Sequence, residues 1–65
     1  MAAKTYKIQT WVRCVEEEFG TTKQYLQHQQ DGTWWGWEVY EDGRESDHVK
    51  LTGTVIIPHG YREEK

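Results

Sequence analysis

Apolar and polar residues alternate along the first part of the chain, which is typical of a half-buried β-strand. This predicted strand runs from Lys4 to Glu16 and ends at a run of three glutamates. One side of the strand would face the core and carries Tyr6, Ile8, Thr10, Val12 and Cys14. The other side is mostly polar but includes Trp11, whose large ring must meet a second layer or lie on the surface.

A second strand is predicted from Thr21 to Gln30, and it leads into the dipeptide Asp31-Gly32. Asp-Gly between two strands favours a two-residue type I′ hairpin turn. Such a turn would place Leu26 opposite Trp37 and would fix which side chains share a face. One face of the hairpin would then carry Leu26, Trp35, Trp37 and Val39. The opposite face would carry Tyr25, Trp34 and Tyr40.

The alternative for this stretch is an α+β fold, in which residues 22–30 form a short helix across the sheet. Thr21 or Thr22 would cap that helix. The apolar side chains here are Tyr25 and Leu26, which are adjacent in the sequence. A helix that packs on a sheet needs apolar residues three and four positions apart. The pattern therefore favours a strand.

A second Asp-Gly dipeptide, Asp42-Gly43, follows eleven residues after the first. This spacing is typical of an antiparallel meander. A two-residue turn would pair Glu41 with Arg44, but it would also set Glu38 opposite Asp47. Like charges directly opposite one another destabilise a sheet. We therefore expect this hairpin to be short or bulged.

The last predicted strand region runs from His48 to Ile57 and is interrupted at Thr52-Gly53. Within it, residues 54–57 form the one continuous run of β-branched residues in the chain. Such a run is typical of a strand that is buried on both sides or lies at the centre of a sheet. Pro58 ends the run, since proline cannot donate to a sheet ladder.

These elements predict one small domain over residues 1–65, with frayed ends at residues 1–3 and 61–65. The fold class is mainly β, an antiparallel meander of four to five strands. The two forms open to such a meander are a curled sheet and a small barrel. The chain is 35% hydrophobic and 14% aromatic, with a formal net charge of −3. Cys14 is its single cysteine, so no intramolecular disulfide can form and aromatic rings must supply most of the core.

No apolar run approaches the roughly 18 residues that a membrane span needs. The N-terminal residues also lack the apolar stretch of a signal peptide. We therefore expect a cytoplasmic protein with no membrane partner.

No catalytic, metal or cofactor site is predicted. A nucleophilic site would need Cys14 beside His28 or His48, but Cys14 continues the predicted core stripe, where a thiol is inert. The candidate metal ligands Cys14, His28, His48 and His59 are 14, 20 and 11 residues apart, unlike the close spacing of metal motifs. The glycines are scattered singly and form no phosphate-binding loop. We expect a protein that is not an enzyme.

The most unusual segment is Thr33 to Tyr40, which holds three tryptophans. In a strand these rings point to both faces, so a large ring is exposed unless both faces are covered. One interpretation places every ring in the core. A second makes the exposed rings a protein-binding or homodimer surface, since Trp and Tyr dominate interface hot spots. A third makes them a stacking platform for single-stranded nucleic acid, which the negative net charge disfavours.

We expect the function to be binding of a protein partner, with a second copy of the chain among the candidates. Single-stranded nucleic acid is the alternative partner. The predicted contact residues are Trp11, Tyr25, Trp34 and Tyr40. An acidic rim of Glu41, Asp42 and Glu45 is predicted to orient the partner and to raise the association rate.

Overall fold

The computed structural model describes residues 7–64, which fold into one antiparallel sheet of five strands. The strands are β1 (Gln9–Glu17), β2 (Gly20–His28), β3 (Trp34–Val39), β4 (Val49–Leu51) and β5 (Arg62–Glu64). Their order across the sheet is β4-β3-β2-β1-β5. The predicted mainly β, antiparallel fold is confirmed. Tyr6 and residues 1–3 lie outside the described residues.

No helix occurs in residues 7–64. The helical alternative for residues 22–30 is wrong, because most of this stretch belongs to β2, which pairs with β1 on one side and with β3 on the other. Its apolar side chains lack helical spacing, and its Thr and Tyr residues suit a strand. The sheet stays open and does not close into a barrel, since β4 and β5 lie at opposite edges.

The hairpin between β2 and β3 has a three-residue loop. The backbone N–H of Gly32 donates to Gln29 O at 3.0 Å, and Gln29 N–H donates to Thr33 O at 2.8 Å. Gly32 has a φ of 88°, which is the left-handed conformation of the bulge that follows a type I turn. His28 therefore pairs with Trp34. The predicted two-residue type I′ turn is wrong, because no residue other than glycine in residues 7–64 has a positive φ.

This extra loop residue shifts the register by one, which exchanges the two faces of β3 relative to β2. Tyr25, not Leu26, lies opposite Trp37, and Leu26 lies opposite Gly36. The predicted grouping of Leu26 with Trp35 and Trp37 is wrong for this reason. Tyr25 shares a face with Trp37 instead.

Cross-strand pairing assigns each strand residue to one of two faces. We call the first the strapped face; it carries Gln9, Trp11, Arg13, Val15, Glu17, Gly20, Thr22, Gln24, Leu26, His28, Trp34, Gly36, Glu38, Val49, Leu51 and Glu63. We call the second the open face; it carries Thr10, Val12, Cys14, Glu16, Thr21, Lys23, Tyr25, Gln27, Trp35, Trp37, Val39, Lys50, Arg62 and Glu64.

The turn after β3 repeats the geometry of the first. Gly43 N–H donates to Tyr40 O at 2.9 Å, Tyr40 N–H donates to Arg44 O at 2.8 Å, and Gly43 has a φ of 91°. The expected short or bulged hairpin is confirmed. The predicted pairing of Glu41 with Arg44 is wrong, because Tyr40 lies opposite Arg44. The Arg44 side chain instead pairs with Asp42, with Nε 2.7 Å from Oδ2.

The same bulge resolves the predicted charge conflict at Glu38. Ser46, not Asp47, lies opposite it, with Ser46 N–H donating to Glu38 O at 2.9 Å. The Ser46 hydroxyl oxygen also accepts a hydrogen bond from Glu38 N–H at 2.8 Å. A neutral side chain therefore occupies the position where two carboxylates would have repelled each other.

Residues 52–61, the crossover segment, connect β4 at one edge of the sheet to β5 at the other. The segment passes over the strapped face, where Arg13 holds its far end. The Arg13 guanidinium carbon lies 4.7 Å from the ring centre of Tyr61, and Arg13 Nη1 donates to His59 O at 3.5 Å. Arg13 itself is fixed by two hydrogen bonds to Gln24 Oε1.

The run at residues 54–57 lies in this crossover segment and forms no strand, so its predicted place as a buried or central strand is wrong. Val55 and Ile57 are half-buried, whereas Ile56 is 79% exposed. The run crosses the sheet as a single strap and has no ladder partner. Arg62–Glu64, which the sequence predicts to fray, pairs with β1 as strand β5.

The fold has almost no closed core. Among residues 7–64 no apolar side chain is fully buried, and the single buried residue is Thr22. The side of β1 predicted to face the core lies on the open face, where Cys14 is exposed. Ile8, just before β1, is 46% exposed. Alternation identified two faces correctly, but the crossover segment covers the face that carries Trp11.

Candidate functional site

Three aromatic rings form a continuous stack on the open face. The Tyr25 and Trp37 ring centres are 5.3 Å apart with planes 7° from parallel, and those of Trp37 and His48 are 4.2 Å apart with planes also 7° from parallel. Tyr25 and Trp37 meet because they are direct cross-strand partners, and His48 reaches them from the residue before β4. We call these three residues the open-face stack. The crossover segment contacts Arg13 on the other face of the sheet.

One cross-strand row of the open face runs from a base to an acid. In order from the β4 edge to the β5 edge it consists of Lys50, Trp35, Gln27, Thr10 and Glu64. Gln27 Nε2 donates to Thr10 Oγ1 at 3.0 Å in the middle of the row. Lys50 and Glu64 are both exposed at its ends. This row therefore has an apolar and amide centre with opposite charges at its two ends.

A second ring stack occupies the strapped face. Trp34 stacks with Trp11, at 5.3 Å, and with His28, at 4.4 Å, measured between ring centres. These two tryptophans are predicted contact residues, but they lie on the opposite face from Tyr25. Tyr40, the fourth predicted contact residue, begins the second turn and is 40% exposed. The four rings do not form one surface, because the register shift separates Tyr25 from Trp34.

The predicted acidic rim lies in and beside the turn after β3. Glu41 Oε2 accepts a hydrogen bond from a backbone N–H at the start of β2 at 3.1 Å. Asp42 is paired with Arg44, and Glu45 Oε1 lies 3.5 Å from His48 Nε2. Each acid therefore has a contact within the chain. Glu45 links the rim to the open-face stack.

The two Asp-Gly turns share the same carboxylate chemistry. Asp31 Oδ1 accepts hydrogen bonds from the hydroxyl and the backbone N–H of Thr33, and these lower the pKa of the Asp31 carboxyl below its ordinary value of 3.8. The backbone N–H of Arg44 does the same for Asp42, and the Arg44 side chain lowers that pKa further. Both carboxylates stabilise their turns.

Sequence reasoning missed Trp35, Trp37 and His48 as candidate site residues. The predicted two-residue turn groups Trp35 and Trp37 with Leu26, on the face opposite Tyr25, Trp34 and Tyr40. The sequence is equally compatible with a three-residue loop, because that loop also uses glycine at its last position. His48 carried no pairing signal, because its contact with Trp37 depends on the bulge at the second turn.

Residues 7–64 contain no group of three or more His, Cys, Asp or Glu side chains placed to hold a metal ion. No helix in the described part of the chain is long and apolar enough to cross a membrane. Comparison with known proteins finds no matching family model, no similar curated protein and no similar solved structure.

Proposed function

We propose that the chain is a protein-binding module and that the open face is its docking surface. The observation that carries this proposal is the open-face stack, which lies on the face opposite the crossover segment. Trp35 and Val39 extend its apolar area along β3. Tyr25, Trp35 and Trp37 are only half-buried, and a contiguous apolar patch that is not fully covered is typical of interaction surfaces in soluble proteins.

The energetics of the stack support a role in binding. Tyr25 and Trp37 are half-buried in the chain alone, so a partner would remove further ring area from water. Each Å² of apolar surface removed contributes about 25 cal/mol. Because the rings already hold one another in place, little side-chain entropy is lost on binding. Preordered Trp and Tyr residues are frequent hot spots.

Single-stranded nucleic acid remains the second candidate, and one observation favours it: the open face also carries Lys23, Lys50 and Arg62. The ring geometry favours a protein. Bases stack on free ring faces, whereas Trp37 has Tyr25 on one side and His48 on the other. The net charge of −3 also repels phosphate.

The acidic residues would act as orienting groups in this proposal. Glu45 is the rim carboxylate in contact with the stack, through His48. Glu41 and Asp42 lie in the loop of the turn after β3 and give this end of the sheet a negative electrostatic field. Such fields steer partners and raise association rates more than they raise affinity.

A position-specific cross-link tests the proposal. A photoreactive phenylalanine analogue replaces exposed Lys23 on the open face or, as the matched control, exposed Ile56 in the crossover segment. Each chain is irradiated in lysate of the cells that produce it. We expect a protein adduct from position 23 and not from position 56. The purified partner should then bind a Trp35→Ala chain at least about ten-fold more weakly than the wild-type chain.

The outcomes separate the candidates. A nucleic-acid adduct from position 23, with affinity that falls steeply as salt rises, would establish the second candidate instead. Identical adducts from the two positions, or none from either, would reject the open face as a docking surface.

A further inference from the structure

We infer that the protein docked on the open face is a second copy of this chain, so that two sheets pack face to face as a two-layer sandwich. The inference rests on the proposed function and names its partner. Four independent features of the described residues support it: the missing layer, the size of the face, the placement of its large and small side chains, and its charges.

The first feature is the missing layer. Stable domains consist of at least two packed layers around one apolar core. Here the crossover segment covers the strapped face only, and among residues 7–64 no apolar side chain is fully buried. Small chains without disulfides or metals commonly obtain their core by association. A second sheet at about 10 Å would bury the open-face stack.

The second feature is area. The five strands hold 9, 9, 6, 3 and 3 residues. At about 4.8 Å by about 3.4 Å per residue they present a face of about 500 Å². Two such faces bury about 1,000 Å² together, which is the size of a weak, reversible interface.

The third feature is shape. A two-fold axis parallel to β2 places β3 of one copy over β1 of the other. Large side chains on β3 then meet small ones on β1: Trp37 faces Val12, and Trp35 faces Thr10 of the second copy. This alternation of large and small is what interdigitating layers need. The axis runs over β2, so Lys23, Tyr25 and Gln27 would each face the same residue of the second copy. Lys23 lies near the end of the sheet, where its flexible stem carries the ammonium into solvent.

The fourth feature is charge. The same axis places β4 of one copy over β5 of the other. Lys50 of each copy then faces Glu64 of the other, so the dimer has two such pairs. Within one chain these two residues lie four strand spacings apart, about 19 Å, which is far too long for an ion pair. Arg62 lies on the same face of β5, two residues before Glu64, and the same axis would place it over the segment that precedes β4 of the second copy. Opposite charges at opposite edges of one row are self-complementary under this symmetry, as an isologous interface requires.

Sedimentation equilibrium with charge-reversed variants tests the inference. Wild type, Lys50→Glu and Glu64→Lys are compared from about 5 to about 300 µM, a range suited to an interface of this size. We expect a wild-type dimer and about ten-fold or greater weakening in each variant alone, because each variant sets like charges opposite one another. An equimolar mixture of the two variants should dimerise as wild type does, since both of its edge pairs are again opposite in charge.

Several outcomes would overturn the inference. These are a wild-type monomer throughout the range, single variants that dimerise like wild type, and a mixture that fails to recover. Far-UV circular dichroism of each variant confirms its sheet, and the milder pair Lys50→Gln and Glu64→Gln replaces any variant that does not fold. A wild-type monomer whose position 23 cross-links to a different protein would reject the dimer but leave the proposed function in place. A wild-type monomer with no adduct from position 23 would reject both.

Discussion

Trp37 and His48 stack with ring centres 4.2 Å apart and planes within 7° of parallel. His48 lies outside the strands, so this contact ties the segment before β4 to the centre of the sheet. The other side of Trp37 is covered by Tyr25. Trp37 is therefore the middle member of the open-face stack and contacts both of the other rings.

Removing this middle ring should destabilise the fold. Trp37→Ala loses two ring contacts and part of its half-buried area, and we expect the free energy of unfolding to fall by about 2 to 3 kcal/mol. His48→Ala loses one contact and should cost about 1 kcal/mol. Urea unfolding followed by circular dichroism measures both. Trp37→Phe is the matched control and should recover part of the loss; equal stability of all three variants would contradict the stack as a stabilising element.

The glycines of the two bulged turns should be far less replaceable than the glycine within β3. Gly32→Ala and Gly43→Ala force a side chain into left-handed backbone and should each cost about 1 to 2 kcal/mol. Gly36 is the control: a Cβ there would make ordinary contacts, with Leu26 Cδ2 at 3.6 Å as one of the two nearest atoms. Gly36→Ala should therefore be nearly neutral in thermal unfolding. A large loss at Gly36 with small losses at the turns would refute the assigned turns.

Acid should weaken the two Asp-Gly turns. Hydrogen bonds lower the pKa of Asp31 and of Asp42 in the folded chain, so their stabilising effect is present above the unfolded value of 3.8 and is lost as the pH falls through the folded values. The urea midpoint of wild type should drop between about pH 5 and about pH 2.

An Asp31→Asn, Asp42→Asn double variant still accepts the backbone N–H bonds but has no charge to lose. Its urea midpoint should depend less on acid pH than that of wild type. Asp47→Asn, an exposed position outside both turns, is the control and should follow the wild-type curve. Parallel pH curves for wild type and the double variant would contradict the assigned carboxylate roles.

Cys14 offers a direct report on the open face, since its thiol is exposed there in the single chain. If a second copy covers this face, reaction of Cys14 with a thiol reagent should slow several-fold as the protein concentration rises from about 1 to about 200 µM. The Lys50→Glu variant, which is expected to dimerise about ten-fold or more weakly, should show a smaller slowing over the same range. A wild-type rate that is independent of concentration would speak against coverage of Cys14.

The sequence by itself determined the class of fold. Period-two alternation in β1, the absence of helical spacing in residues 22–30 and the two Asp-Gly dipeptides were sufficient for an antiparallel meander, because these signals are local. They also located the turns correctly. The same local signals left the turn length undecided, since glycine serves both a two-residue turn and a three-residue loop with a bulge.

Tertiary structure decided which rings share a face and which face is covered. One extra loop residue places Tyr25 with Trp37 and places Trp34 with Trp11, because a register shift of one reverses every side chain of a strand. The path of the crossover segment depends on β4 and β5 lying at opposite edges, which is a property of the whole sheet. No local pattern encodes that path, so the open face became visible only when all five strands were in place.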